Sequence, residues 1–208
     1  MRSLATLALA GTLALALPAS AQERTFTIRN DGGSRIQFVS DAPLETITGV
    51  STHVTGDVTF DPSNLSRAHG TVQVRVASIR TGVDLRDEHL RGDGWLDAQR
   101  NPNATLEITR IEGARRLQPN QVATVRVHGR FSLHGVTRDI VSEAQVRLVP
   151  FSEELRAAHI DGDVISVRAS FRVRLTDYNV SVPLPVRLKV ANEIDVNVTL
   201  RGVAPQSE

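Results

Sequence analysis

The densest group of residues able to do chemistry lies in "SIRTGVDLRDEHLRGDGWLDAQRNPN", positions 78–103, where Asp84, Asp87, Glu88 and His89 fall close together. An imidazole beside carboxylates could move a proton, with Asp87 or Glu88 orienting His89, or could begin a metal site. The spacing argues against convergence. In a helix, rotation of about 100° per residue spreads Asp84, Asp87 and Glu88 over one side and sets His89 beside Leu85. The acids have a structural use in that position. Asp84 fits an N-cap, Asp87 stands near the place of a capping-box acid, and both are favoured by the helix dipole. Gly92 then ends the helix, and a second short turn starts at Asp97 and stops before Pro102.

The other candidates are scattered. His128 and His134 share one strand face six residues apart, a separation of roughly 20 Å that prevents them from holding one ion. His53 falls on a polar face, and His69 and His159 fall in loops. The sequence has no HExxH, GxSxG, GxGxxG or phosphate-loop pattern. It has no cysteine, which excludes a disulfide framework, a thiolate metal site and a cysteine nucleophile. No metal or cofactor is therefore expected.

The elements that must position these residues are mostly strands. Residues 1–21 follow the secretory-signal pattern: Arg2, an apolar run from Leu4 to Leu17, then Pro18 before Ala19-Ser20-Ala21, with cleavage expected before Gln22. Export to the periplasm is the expectation. Without Arg2 the 24 basic residues become 23, equal to the 23 acidic ones, so no electrostatic footprint for nucleic acid remains. Residues 22–202 read as one domain and 203–208 as a flexible tail.

Period-two alternation runs through that domain. Phe26 and Ile28, then Ile36 and Phe38, flank Asn30-Asp31-Gly32-Gly33, which predicts a hairpin. Val54 to Phe60, Val72 to Val76, Leu106 to Ile108, Val125 to Leu133, Ile140 to Leu148, Ile165 to Leu175 and Val190 to Leu200 continue it. Eight or nine long strands in one domain favour a barrel or deep sandwich. Eight aromatic residues cannot make the two girdles of an outer-membrane barrel. Inward glycines and alanines, Gly56, Gly129, Ala144 and Ala169, tilt the choice towards a cavity, the alternative being that the glycines mark bends or bulges in a filled barrel.

Several motifs together carry a resemblance. Ser78-Ile79-Arg80-Thr81-Gly82, Arg86-Asp87 with His89-Leu90, Trp95, Asp97, Asn101-Pro102, and the run from Gly129 to Thr137 resemble the YceI-like family of exported bacterial proteins. The resemblance spans about Thr25 to Leu200. It implies an all-β fold, an extended lipocalin-like antiparallel eight-stranded β-barrel with a short helical insertion around 84–100. It also implies a periplasmic binding protein, without catalysis, that holds a polyisoprenoid or similar long-chain amphiphilic lipid, of the isoprenoid quinone or polyprenyl type. Two departures stand out: Trp95-Leu96 replaces a usual pair of phenylalanines, and Thr176-Asp177-Tyr178-Asn179-Val180 replaces the usual Arg-x-x-Phe-Gly.

On this reading Phe38, Phe60, Val74, Val76, Leu106, Ile108, Phe131 and Phe171 line the barrel, and Leu85, His89, Leu90 and Trp95 form its lid. Arg80, Arg86 and Arg91 would approach a pyrophosphate or quinone head at the mouth. Transient membrane contact and a homodimer are both compatible with it. The competing readings are an enzyme using His89 with Asp87 or Glu88 on a bound lipid, and a filled barrel serving as an envelope stress or interaction protein.

Overall fold

The alternating apolar residues turn inward on strands that run in sequence order around a closed antiparallel wall. A computed structural model describes residues 22–206; the proposed signal at 1–21 lies outside the described residues. The strands are β1 (Arg24–Ile28), β2 (Arg35–Asp41), β3 (Thr46–Ser51), β4 (Val54–Asp61), β5 (Asn64–Arg75), β6 (Asn103–Gly113), β7 (Val122–Leu133), β8 (Val136–Val149), β9 (Gly162–Arg174) and β10 (Glu193–Pro205). Two helices, α1 (Asp84–Arg91) and α2 (Glu153–Ala157), lie in the connections.

These ten segments make eight staves. β1 and β2 both pair with β10 and do not pair with each other, so they are successive pieces of one broken stave. β3 and β4 form the next, pairing with β2 and β1 respectively. The hairpin expected at residues 25–39 is therefore not formed. Asn30-Asp31-Gly32-Gly33 breaks the stave because it docks on β10: Asp31 pairs with Arg201 at 2.9 Å, and buried Ser34 accepts the Arg201 N–H at 3.0 Å. Closure between β1 and β10 leaves the lipocalin-like eight-stranded barrel that the resemblance implies. The last strand also passes the boundary expected at Gly202. Ala204 is buried in register with Asp163, so residues 203–205 belong to the barrel.

One end of the barrel is plugged. Phe26 stacks on Phe60 with ring centroids 4.8 Å apart, and Leu65, Leu117, Leu148 and Ala204 close around them. Asp163 clamps this end by pairing with Arg24 and accepting the Phe151 N–H at 2.8 Å. Burial pushes the Asp163 carboxyl up, but those two partners outweigh it and hold the group below its ordinary range. α2 sits beside this end, its first turn capped by Ser152. At the other end β5 stops at Arg75 and β6 begins only at Asn103, and the insertion between them carries α1.

The outer wall is laddered with charge. Arg130 bonds Glu107, Arg172 bonds Asp195 at 2.9 Å and Arg174 bonds Glu193 at 2.8 Å. A lipid-facing wall would need apolar side chains on these positions, so the barrel does not span a membrane.

Candidate functional site

The insertion is held by its acids. Helix α1 follows Val83, which supplies no side-chain cap, and Asp84 is its first residue and not the N-cap expected from sequence. Asp87 does the capping work from inside: its Oδ1 accepts the Thr81 N–H at 2.7 Å and the Thr81 hydroxyl at 2.6 Å. Burial pushes the Asp87 carboxyl up, yet the two Thr81 bonds and the charges of Arg80 and Arg91 hold it below its ordinary value. This carboxylate is thus committed to Thr81, Glu88 is exposed, and no dyad with His89 is assembled. Among the described residues no cluster of histidine and acidic side chains could hold a metal ion. After Gly92 the chain makes turns, and the short turn expected from Asp97 is formed, with the Asn101 N–H donating to the Asp97 carbonyl at 2.8 Å just before Pro102.

Above the plug the barrel is hollow. A cavity of about 580 Å³ runs up between the staves and reaches the surface beside α1, the β2–β3 turn and the β9–β10 connection. Its volume falls in the range that receives a small-molecule ligand. From Leu200 to Ile194 its wall follows β10 over seven residues, about 20 Å of strand. The void exists because Ala144 faces Ala169 directly across β8 and β9, and both line it. The glycines serve the other purpose weighed above. At Gly56 (φ +150°) a Cβ would meet Thr71 O at 2.1 Å, and at Gly129 it would meet Glu107 O at 2.6 Å. They permit close strand approach.

Ten of the twelve expected lining and lid residues surround the cavity: Phe38, Val74, Leu106, Ile108, Phe131 and Phe171 on the staves, and Leu85, His89, Leu90 and Trp95 on the insertion. Phe131 meets Phe171 edge-on at 5.2 Å, with Tyr178 behind it at 5.6 Å. Two residues are elsewhere. Phe60 belongs to the plug, stacked on Phe26. Val76 has left β5 for a 3-10 turn at Val76–Ser78 and packs with Leu96 and Tyr178 behind the cavity wall.

Of the three arginines, Arg86 alone lines the cavity. Its guanidinium bonds Glu45 at 2.7 Å and the Thr81 hydroxyl at 2.9 Å, tying α1 to the β2–β3 turn. Arg80 donates instead to the carbonyls of Ala77 and Ile79, and Arg91 to that of Asp87, so both brace the insertion away from the cavity. Sequence reasoning missed the β9–β10 connection, which adds Val180, Pro183, Val186 and Lys189 to the mouth. Its prolines hide any periodicity. One signal was available: Lys189 is the only lysine in the chain.

A closed antiparallel barrel, plugged at one end and opening an apolar cavity at the other, defines a lipocalin-like barrel with a hollow and not a filled interior. The chain belongs to the YceI-like family, whose domain matches residues 26–202. It is 32% identical over 137 residues to the UPF0312 protein VPA0850 of Vibrio parahaemolyticus, covering 64% of this chain and 68% of that one. It is 25% identical over 195 residues to the UPF0312 protein VVA0736 of Vibrio vulnificus, covering 92% and 93%. Among solved structures, the fold is similar to a polyisoprenoid binding domain from Saccharophagus degradans, with a TM-score of 0.66 at 18% identity over 88% of this chain and 100% of that one. It is also similar to BcnA of Burkholderia cenocepacia, with a TM-score of 0.63 at 19% identity over 81% and 95%.

Proposed function

We propose that the protein is an exported periplasmic carrier that holds a polyisoprenoid or similar long-chain amphiphilic lipid in the barrel, with its tail in the cavity and its head at the mouth. The observation that carries this reading is the apolar, one-mouthed cavity of about 580 Å³. Each methylene moved from water into it contributes about 0.8 kcal/mol, so even a short isoprenoid tail is held against solvation. Arg86 and Lys189 stand where an anionic or carbonyl head would emerge. The polyisoprenoid binding domain with the same fold supports this ligand class. Transient membrane contact and a homodimer belong to the same proposal. Binding rather than catalysis belongs to the same proposal, supported by the YceI-like family and by the polyisoprenoid binding domain of the same fold.

The test is native mass spectrometry, with organic extraction, of protein purified gently from the periplasm. A co-purifying polyprenyl or isoprenoid-quinone species is the expected result. An empty protein that also refuses added long-chain lipid would sink the reading, and recovery of the protein only in the cytoplasm would remove its location.

A further inference from the structure

Seven large apolar side chains are exposed among the described residues, and five of them crowd one place. Leu44 lies in the β2–β3 turn, Val83 and Leu85 at the start of α1, and Leu184 and Leu188 in the β9–β10 connection. These are the three segments that frame the cavity mouth. They touch each other: the Leu44 N–H donates to the Leu188 carbonyl at 2.8 Å, and Arg86 on α1 bonds Glu45 beside Leu44. Leu184 is 77% exposed and Leu44 67%, more than any other large apolar residue described. A contiguous apolar rim of this kind marks an interaction surface.

We propose that this rim inserts into the surface of an anionic lipid bilayer, so that the cavity mouth opens directly into the membrane. Two features select a bilayer over other occupants. The apolar rim is continuous with the apolar cavity wall through Val83 and Leu85, which belong to both. A chain long enough to use that cavity is scarcely soluble in water, so it must be gathered where it already resides. The charge also fits. The β9–β10 connection carries Arg187 and Lys189 beside Leu184 and Leu188, while its one acid, Asp177, lies ten residues before Arg187. Apolar side chains flanked by basic ones form the composition of an interfacial membrane contact. The acids near the rim that form no ion pair are Asp84 and Glu88 on α1 and Asp41 at the end of β2, which accepts the Thr46 hydroxyl, so none lies on the β9–β10 connection beside Leu184 and Leu188. Docking therefore leads with the β9–β10 connection.

The inference rests on the carrier reading, and two assays separate them. In the first, the full chain is floated with vesicles of phosphatidylethanolamine and phosphatidylglycerol. Leu184→Ser/Leu188→Ser should weaken vesicle partitioning by at least roughly tenfold, as expected when two inserted leucines are lost. Val122→Ser/Val141→Ser, which removes the two exposed apolar residues away from the mouth, should leave it unchanged. Arg187→Gln should weaken binding to these vesicles and have little effect on pure phosphatidylcholine. Wild-type protein that stays in solution, or equal losses in both double variants, overturns the inference. So does a dimer that Leu184→Ser/Leu188→Ser dissociates with vesicle binding intact, because a second copy would then be the occupant. In the second assay, uptake of farnesol added from ethanol is followed without vesicles. Uptake without vesicle binding removes the docking surface and leaves the carrier standing. Vesicle binding without uptake keeps the surface and removes the carrier.

Discussion

Asp87 illustrates how a residue of catalytic type becomes a structural one. Its carboxylate is buried, takes both Thr81 donors and is held below its ordinary range, so the folded protein binds this proton more weakly than the unfolded chain. The stability it contributes is complete above the unfolded value of ~4 and is lost as pH falls through the depressed folded value. Asp87→Asn should lower stability at pH 7 by about 1–3 kcal/mol and shrink the loss seen between neutral pH and pH 3. Denaturant unfolding at the two pH values checks both. Ala169 offers the opposite experiment. Ala169→Leu adds apolar volume to an existing void, so the fold should persist with a change of less than about 1.5 kcal/mol while lipid capacity falls. Unfolding midpoint and probe titration, measured on one sample, separate the two effects.

Among the elements, the α1 insertion is tied to β3 by the paired backbone hydrogen bonds between Val50 and Arg80. It is joined to the β2–β3 turn by the Arg86–Glu45 pair, whose side chains are 30% and 38% exposed. Such a pair contributes no more than about 1 kcal/mol. Arg86→Ala should therefore leave the unfolding midpoint nearly unchanged and speed release of a bound fluorescent lipid, read by stopped-flow dilution. Elements also show where the sequence could be read and where it could not. Strands β4 to β10 were legible because alternation survives over eight residues or more. β3 was not: "TITGVS" is short, and its Gly49 is empty to admit the Phe38 ring, a long-range fact with no local signature. The Asn30–Gly33 turn signal was real, but Arg201, far away in sequence, decides that the chain bends there and does not reverse. Phe60 and Phe38 have the same pattern, and only the position of the plug makes one filler and the other wall. Asn179 takes a left-handed φ of 58°, a conformation that glycine also adopts, at the turn where β9 gives way to the β9–β10 connection.

At the scale of the molecule, the barrel divides into a packed half and a hollow half. The packed half, closed by Phe26, Phe60 and the Arg24–Asp163 clamp, supplies stability without any ligand. In the hollow half, Phe131, Phe171 and Leu106 line the cavity wall. That hollow is also a volume which the folded chain carries and the unfolded chain does not. Hydrostatic pressure favours the state of smaller volume, and the volume change of unfolding scales with the internal void eliminated. The empty protein should therefore unfold under pressure well before the lipid-loaded one, with melting of the loaded form requiring more compression at equal temperature. Tyr178 and Trp95 fluorescence in a pressure cell would follow it. The two alanines that open the barrel thus make it the compressible member of its own bound and unbound pair.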